Sequence, residues 1–138
     1  MFDHCIYFNT TALARRLEQQ WAGAFKPFGL TPPQAFLLRA VLDRPGLAQR
    51  ELAQTLVVSR PTATRALDGL AQKRFIERVP STEDGREMLV YPTRRSLEIE
   101  RALNDASAKV TRHLKGVLGE EAFDATVNSV RSVRFSLE

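Results

Sequence analysis

The run Ser59-Arg60-Pro61-Thr62-Ala63-Thr64-Arg65 concentrates side chains suited to reading a nucleic acid. An arginine fork can make two parallel hydrogen bonds to guanine. A threonine can offer its methyl to thymine or its hydroxyl to phosphate, and the free N–H groups at a helix start attract phosphate. A second group, Thr-Glu-Asp-Gly-Arg, places Asp84 two residues before Arg86. There the carboxylate can hold a loop or orient the guanidinium, and an arginine so placed suits the negative potential of a narrow minor groove. A solvated surface helix and a polar turn would carry the same residues without any partner. The specific feature is the succession: a reader-like helix followed at once by a charged hairpin.

Other chemistry in the chain is sparser. Cys5 is the one cysteine and stands beside His4 near a predicted helix start, where the helix dipole favours a thiolate. An unreactive, partly buried thiol is the alternative. Tyr7, Trp21, Phe25, Phe28 and Phe36 could line a cleft for a small effector, or simply fill the core. Asp3, His4, Cys5 and the distant His113 lack the ligand spacings of a zinc site, so no metal is expected. No G-x-S-x-G, phosphate-binding glycine loop or dinucleotide fingerprint occurs, and no cofactor or enzymatic activity is expected. Asp43 and Glu51 flank the Pro45-Gly46 turn as ordinary solvated carboxylates.

The elements that must position these groups follow from periodicity and punctuation. Asp3 is a candidate N-cap for a helix carrying Ile6, Thr10, Leu13, Leu17, Trp21 and Phe25 at three- and four-residue spacing, ending before Pro27. Thr31 caps the next helix, with Pro32 and Pro33 in its permissive first turn and Pro45-Gly46 as its stop. That helix is apolar nearly all round and is expected at the centre of the core. The segment Leu47–Leu56 reads as a short helix with Leu52, Ala53 and Leu56 on one side. Ser59 then caps a helix with Pro61 in its first turn, and the two short helices make a helix-turn-helix. In the second, Ala63, Ala66, Leu67 and Leu70 form the buried stripe. Pro61, Arg65, Asp68 and Gln72 lie opposite, flanked by Thr62 and Thr64, with Arg60 at the start. Residues 75–79 and 87–93 read as strands of a hairpin closed by Pro80, Ser81, Asp84 and Gly85. A helix from Thr93 to Leu118 and another after Gly119 complete the chain.

At 138 residues the chain has room for one ordinary core, and its 43% hydrophobic content is that of a globular protein. No apolar run approaches the ~20 residues a membrane span needs, and the start lacks a secretory signal pattern. A lone cysteine agrees with a reducing compartment, so a cytoplasmic location is expected. The net charge of +4 favours a polyanionic partner, and the basic excess lies largely between Arg50 and Arg95.

These segments together resemble the MarR family of winged helix-turn-helix regulators over nearly the whole chain. The resemblance is carried by GLTPPQAFLLRAV, by QRELAQTLVVSRPTATRALDGLAQKRFIER, and by RVPSTEDGR leading to LVYPT. Asp84, Arg86 and Thr93 match the family's wing pattern, whereas Gly85 replaces its middle arginine and Pro92 its usual leucine. Ala48 stands where Ser or Thr commonly caps the first reader helix, a loss of about 1 kcal/mol. Arg74 stands where a glycine usually closes the second. The resemblance implies a mainly α fold with a small β-hairpin wing in a single domain, 1–138. Its winged helix-turn-helix reader would cover about 29–93, and dimerisation helices about 1–28 and 94–138.

The same resemblance implies a homodimer on a pseudo-palindromic site in double-stranded DNA, with reader helices roughly 34 Å apart. It implies a repressor, relieved by an amphipathic or phenolic effector or by oxidation. The apolar series Phe123, Val127, Val130, Val133 and Phe135 exceeds what a lone reader domain needs, though a bundle closing on its own chain would also use it. On this reading Ser59, Arg60, Pro61, Thr62, Thr64, Arg65, Asp84 and Arg86 form the DNA-binding set. Peroxide-sensing members carry a tyrosine four residues after their reactive cysteine, where this chain has Asn9. The rival classes are a winged-helix protein-docking module without DNA binding and a thiol-dependent sensor or enzyme built on Cys5.

Overall fold

Helix α1 spans Ile6–Phe25 in the computed structural model, which describes residues 1–138. Cys5, rather than Asp3, is its N-cap residue and gives no side-chain cap bond. The expected Asp3 cap fails because residues 3 and 4 form a turn closed by Cys5 N–H to Phe2 O (2.9 Å), so the helix starts later and Asp3 lies two residues before the cap position. The Asn9 amide donates to the carbonyls of Asp3 (2.8 Å) and Cys5 (3.0 Å). A short 3-10 turn, Lys26–Phe28, leads to α2, Pro32–Asp43. Thr31 caps α2 as expected, with Gln34 N–H donating to Thr31 Oγ1 (3.4 Å) and Thr31 N–H to Gln34 Oε1 (3.2 Å).

The segment expected to be helical from Leu47 begins instead with a two-residue strand. This β1, Leu47–Ala48, pairs antiparallel with β3, Met88–Pro92, which also pairs with β2, Ile76–Pro80. The wing is therefore a three-stranded sheet of order β1-β3-β2. Gly46 permits this docking: its φ is +91°, its N–H donates to Val90 O at 2.8 Å, and a Cβ there would press on the Tyr91 ring. The helix proper, α3, is Gln49–Leu56. Ala48 has no side-chain oxygen to cap it, but its N–H donates to Glu51 Oε2 at 2.8 Å, so half of a capping box survives.

Helix α4, Arg60–Gln72, is capped by Ser59, whose Oγ accepts from Thr62 N–H at 3.3 Å. Val57 and Arg74, in the turns that end α3 and α4, hold left-handed backbone with φ of 55° and 64°. Such conformations favour glycine and cost other residues of order 1–2 kcal/mol. The glycine inside α4 has a packing reason, because a Cβ at Gly69 would overlap the Gln34 amide. Helix α5, Arg94–Leu118, starts at the Thr93 cap, and α6, Glu120–Ser136, follows Gly119.

The core joins α2, the inner face of α4, the sheet and the middle of α5. Leu37, Leu38, Val41, Leu52, Leu67, Leu70, Val90 and Leu103 are essentially inaccessible. Helix α6 contributes no buried residue; of its apolar series only Phe123 is half-buried, beside Leu114 and Val117 of α5. Ile6, Tyr7 and Leu13 of α1, with Val127, Val130, Val133 and Phe135 of α6, are exposed. No helix is long and apolar enough to cross a membrane.

Candidate nucleic-acid interface

The alternation of buried and exposed positions in α4 turns one side outward because its apolar stripe is taken by the core. Ala63, Ala66, Leu67 and Leu70 are buried, while Arg60, Pro61, Thr64, Arg65, Asp68 and Gln72 are exposed. Arg60 and Thr64 share a cleft of about 280 Å³ with the wing residues Asp84, Arg86 and Glu87 and with Gln49 and Arg50 of α3. Reader helix and wing, read as separate motifs in the sequence, thus form the two sides of one slot.

Inside the wing tip, Asp84 Oδ1 accepts from the Arg86 backbone N–H at 3.0 Å and lies 3.7 Å from Arg86 Nε. The carboxylate therefore fixes the turn by a backbone bond and faces the guanidinium, as expected for this pair. Arg86 itself reaches into solvent, with its side chain 96% exposed. The tip closes through Glu87 N–H to Asp84 O (2.9 Å) and Ser81 N–H to Glu87 O (2.8 Å).

Thr62 departs from the expected base-reading group. It is half-buried, its hydroxyl accepts from Ser59 Oγ at 2.9 Å, and it lines a different, apolar cleft. The cause is angular: Thr62 and Ala66, four residues apart, lie on the same flank of the helix. Ser59 is exposed at the helix start, and its hydroxyl is engaged in that cap.

Two ion pairs on this face escape sequence reasoning because their partners are distant in the chain. Arg50 donates to Glu87 Oε1 from Nη2 (3.0 Å) and Nε (3.3 Å), tying α3 to the wing. Arg78 Nη1 donates to Asp68 Oδ1 (2.7 Å) and Gln49 Oε1 (3.3 Å), tying β2 to α4 and α3 and neutralising the acid on the reader face. Both arginines belong to the basic excess visible in the composition, but nothing local marks their partners.

The five aromatics expected to share an effector cleft do not converge. Trp21 and Phe36 line an apolar cleft of about 420 Å³ between α1, α2 and α4, together with Leu17, Pro33, Leu56 and Val58. Phe25 is fully buried, edge-on to Phe36. Phe28 lines a separate depression beside Lys109 and His113, and Tyr7 stands 75% exposed far up α1. Helical period identifies a stripe, but distance along that stripe separates its members.

Beside the cleft, Ser107 of α5 accepts from Trp21 Nε1 (3.0 Å) and Arg39 Nη1 (2.9 Å), and Arg39 Nε donates to Asn104 Oδ1 (2.8 Å). Burial lowers the Arg39 pKa, and its guanidinium lies 5.1 Å from the centre of the Phe36 ring. This junction joins α1, α2 and α5. Cys5 is exposed; Asn9 binds its carbonyl oxygen and that of Asp3.

The sequence model of the MarR family matches residues 28–87. The chain is 30% identical over 87 residues to the uncharacterized HTH-type transcriptional regulator YybA of Bacillus subtilis (strain 168), covering 63% of this chain and 58% of that protein. It is 26% identical over 121 residues to the HTH-type transcriptional repressor MdtR of the same strain, covering 87% of this chain and 78% of that one. Among solved structures, the repressor CouR bound to a 23-mer DNA duplex superposes with a TM-score of 0.87 at 22% identity, over 96% of this chain and 94% of CouR. CouR bound to p-coumaroyl-CoA gives the same TM-score at 21% identity over the same shares.

Proposed function

The chain belongs to the MarR family of winged helix-turn-helix transcriptional regulators, and from that membership we propose that it acts as a homodimeric repressor on a pseudo-palindromic DNA site. The observation that carries this reading is the slot shared by Arg60 and Thr64 of α4 with Arg86 of the wing. In this assignment α4 enters the major groove and the wing tip the adjacent minor groove, with the DNA backbone passing between them. Arg65 and Pro61 face base edges; Thr64, Arg60 and the Ser59 end of the helix serve phosphates; Arg86 enters the minor groove, with Asp84 holding its turn. Thr62 acts indirectly, by fixing the cap.

The whole chain, 1–138, works as one unit, and a second copy covers the apolar faces of α1 and α6. MdtR is named a repressor, and CouR has been solved both on DNA and with p-coumaroyl-CoA. By analogy, an amphipathic or phenolic effector occupies the Trp21–Phe36 cleft, whose ~420 Å³ lies within the usual range for small-molecule sites.

The test is selection of binding sites from random duplex DNA at low salt. An enriched inverted repeat supports the proposal and measures the half-site spacing. A folded protein that enriches no sequence overturns it in favour of a protein-docking module. Salt provides a second check, because DNA affinity falls steeply between ~50 and ~200 mM, whereas apolar docking hardly changes.

A further inference from the structure

We propose that Glu87 is an internal stand-in for DNA phosphate, which holds Arg50 away from non-operator DNA and releases it on the operator. The inference rests on the DNA-binding reading above and adds a residue that sets specificity.

Three guanidinium groups, those of Arg50, Arg60 and Arg86, line the slot between reader and wing, with the carboxylates of Glu87 and Asp84. Their engagement differs. Arg60 forms no ion pair within 4.0 Å, and Arg86 lies loosely by Asp84 at 3.7 Å with its side chain almost fully exposed. Arg50 alone in the slot is held by a carboxylate at charge-assisted hydrogen-bond distance, 3.0 Å from Nη2 to Glu87 Oε1, with the same oxygen also accepting from Nε. The side chain of Arg50 remains 49% exposed, so it can turn to another anion without unfolding anything. Glu87 is 30% exposed, and its backbone is fixed at both ends by the bonds closing the wing tip. From that fixed backbone the carboxylate, held through Oε1 by the guanidinium itself, occupies the place where a backbone phosphate would meet Arg50.

A duplex that merely lies along the basic face must compete with Glu87 for Arg50. Its phosphate gains little by taking a guanidinium already satisfied. On the operator, base contacts of α4 and insertion of the wing hold the backbone in the slot, and Arg50 transfers from Glu87 to phosphate. Only then does the complex gain that extra phosphate contact. Exposed ion pairs are weak enough for such an exchange to be reversible.

The test measures salt-dependent affinity for the selected operator and for random duplex, using the wild-type chain, E87Q, R50Q and the double variant. E87Q keeps the size and hydrogen-bonding capacity of the side chain and removes its charge. It is expected to tighten binding to random duplex several-fold at ~50 mM salt and to tighten operator binding less, so the specificity ratio falls. One additional phosphate contact steepens the log–log salt slope by about 0.9. The gain on random DNA then shrinks by about 3.5-fold between ~50 and ~200 mM. Adding R50Q to E87Q is expected to abolish that gain, which a general charge effect of Glu87 would not require.

An E87Q slope on random DNA equal to wild type, or a gain that survives in the double variant, overturns the proposal. Failure of the wild-type chain to prefer any sequence would instead remove the underlying DNA reading, and the two failures are thereby distinct.

Discussion

Removing the hydroxyl of Ser107 tests the junction between the outer helices and the reader. The Ser107 oxygen, in a residue only 5% exposed, accepts from both the Trp21 indole and the Arg39 guanidinium. Ser107→Ala leaves the half-buried indole N–H without its acceptor, at about 1–3 kcal/mol, and deprives Arg39 of a charge-assisted bond of about 1.5–3 kcal/mol. Arg39 keeps Asn104 and reaches water more easily, so its share falls at the low end. Alanine returns about 0.5 kcal/mol of helix propensity, leaving a net loss of roughly 2–4 kcal/mol.

Ser96→Ala provides the internal control. Ser96 lies in the same helix and is fully buried, but its hydroxyl makes one neutral bond, to Thr93 O at 2.8 Å. That change should cost only about 0.5–1.5 kcal/mol before the same propensity gain. Denaturant unfolding at one protein concentration gives both values, the concentration being fixed because association shifts apparent stability. The single tryptophan, Trp21, reports the site directly, and its emission should change in Ser107→Ala and stay constant in Ser96→Ala. Equal stability losses in the two variants, or an unchanged Trp21 emission, would refute the reasoning.

Three other outcomes are expected. Arg65→Ala should weaken operator binding by about 1–3 kcal/mol and random DNA far less; equal weakening on both would remove its base-reading role. Arg74→Gly relieves a left-handed backbone at an exposed position, so stability should rise by about 0.5–1 kcal/mol after the added chain entropy, and the unfolding midpoint with it. A lower midpoint would show that Arg74 carries compensating contacts. Val130→Asp puts a charge in the exposed apolar face of α6 and should shift the sedimenting species toward the 15.5 kDa single chain, an idea that a monomeric wild type would sink.

Most helix boundaries are legible where the sequence punctuates itself, the Asp3 and Leu47 starts being the exceptions. Thr31-Pro32-Pro33, Ser59-Arg60-Pro61, Thr93 and Gly119 each mark a boundary by local chemistry, and the structure places helix ends there. The wing's first strand was not legible, because two residues, Leu47 and Ala48, cannot display an alternating pattern; only β3 makes them a strand. The same limit explains the site. Arg60, Thr64, Asp84 and Arg86 announce themselves through neighbours in sequence, whereas Arg50 and Glu87 meet across 37 positions and Trp21 and Ser107 across 86. Thr62 shows the complementary limit: residue type suggests a base contact, while helical angle places it half-buried beside the apolar cleft with its hydroxyl in the cap.

Coupling between an occupant of the apolar cleft and DNA has a short route in this fold. Ala63, only 2% exposed, forms part of the wall of the Trp21–Phe36 cleft on one side and of the arginine slot on the other. Ala66 lies one helical turn further along the apolar wall. A molecule filling the cleft bears on α4 through these two small side chains, and close packing leaves the helix little freedom except to move as a body. Movement of α4 alters the slot it shares with the wing, where Arg60 and Thr64 stand opposite Arg86 and Glu87. On the function proposed above, an effector in the cleft and DNA in the slot would both act on the position of one helix, which is the physical requirement for reciprocal linkage between them. The Thr62–Ser59 cap ties the N-terminal end of α4 to the cleft, so on the proposed function Thr62 would join the two surfaces through the helix start.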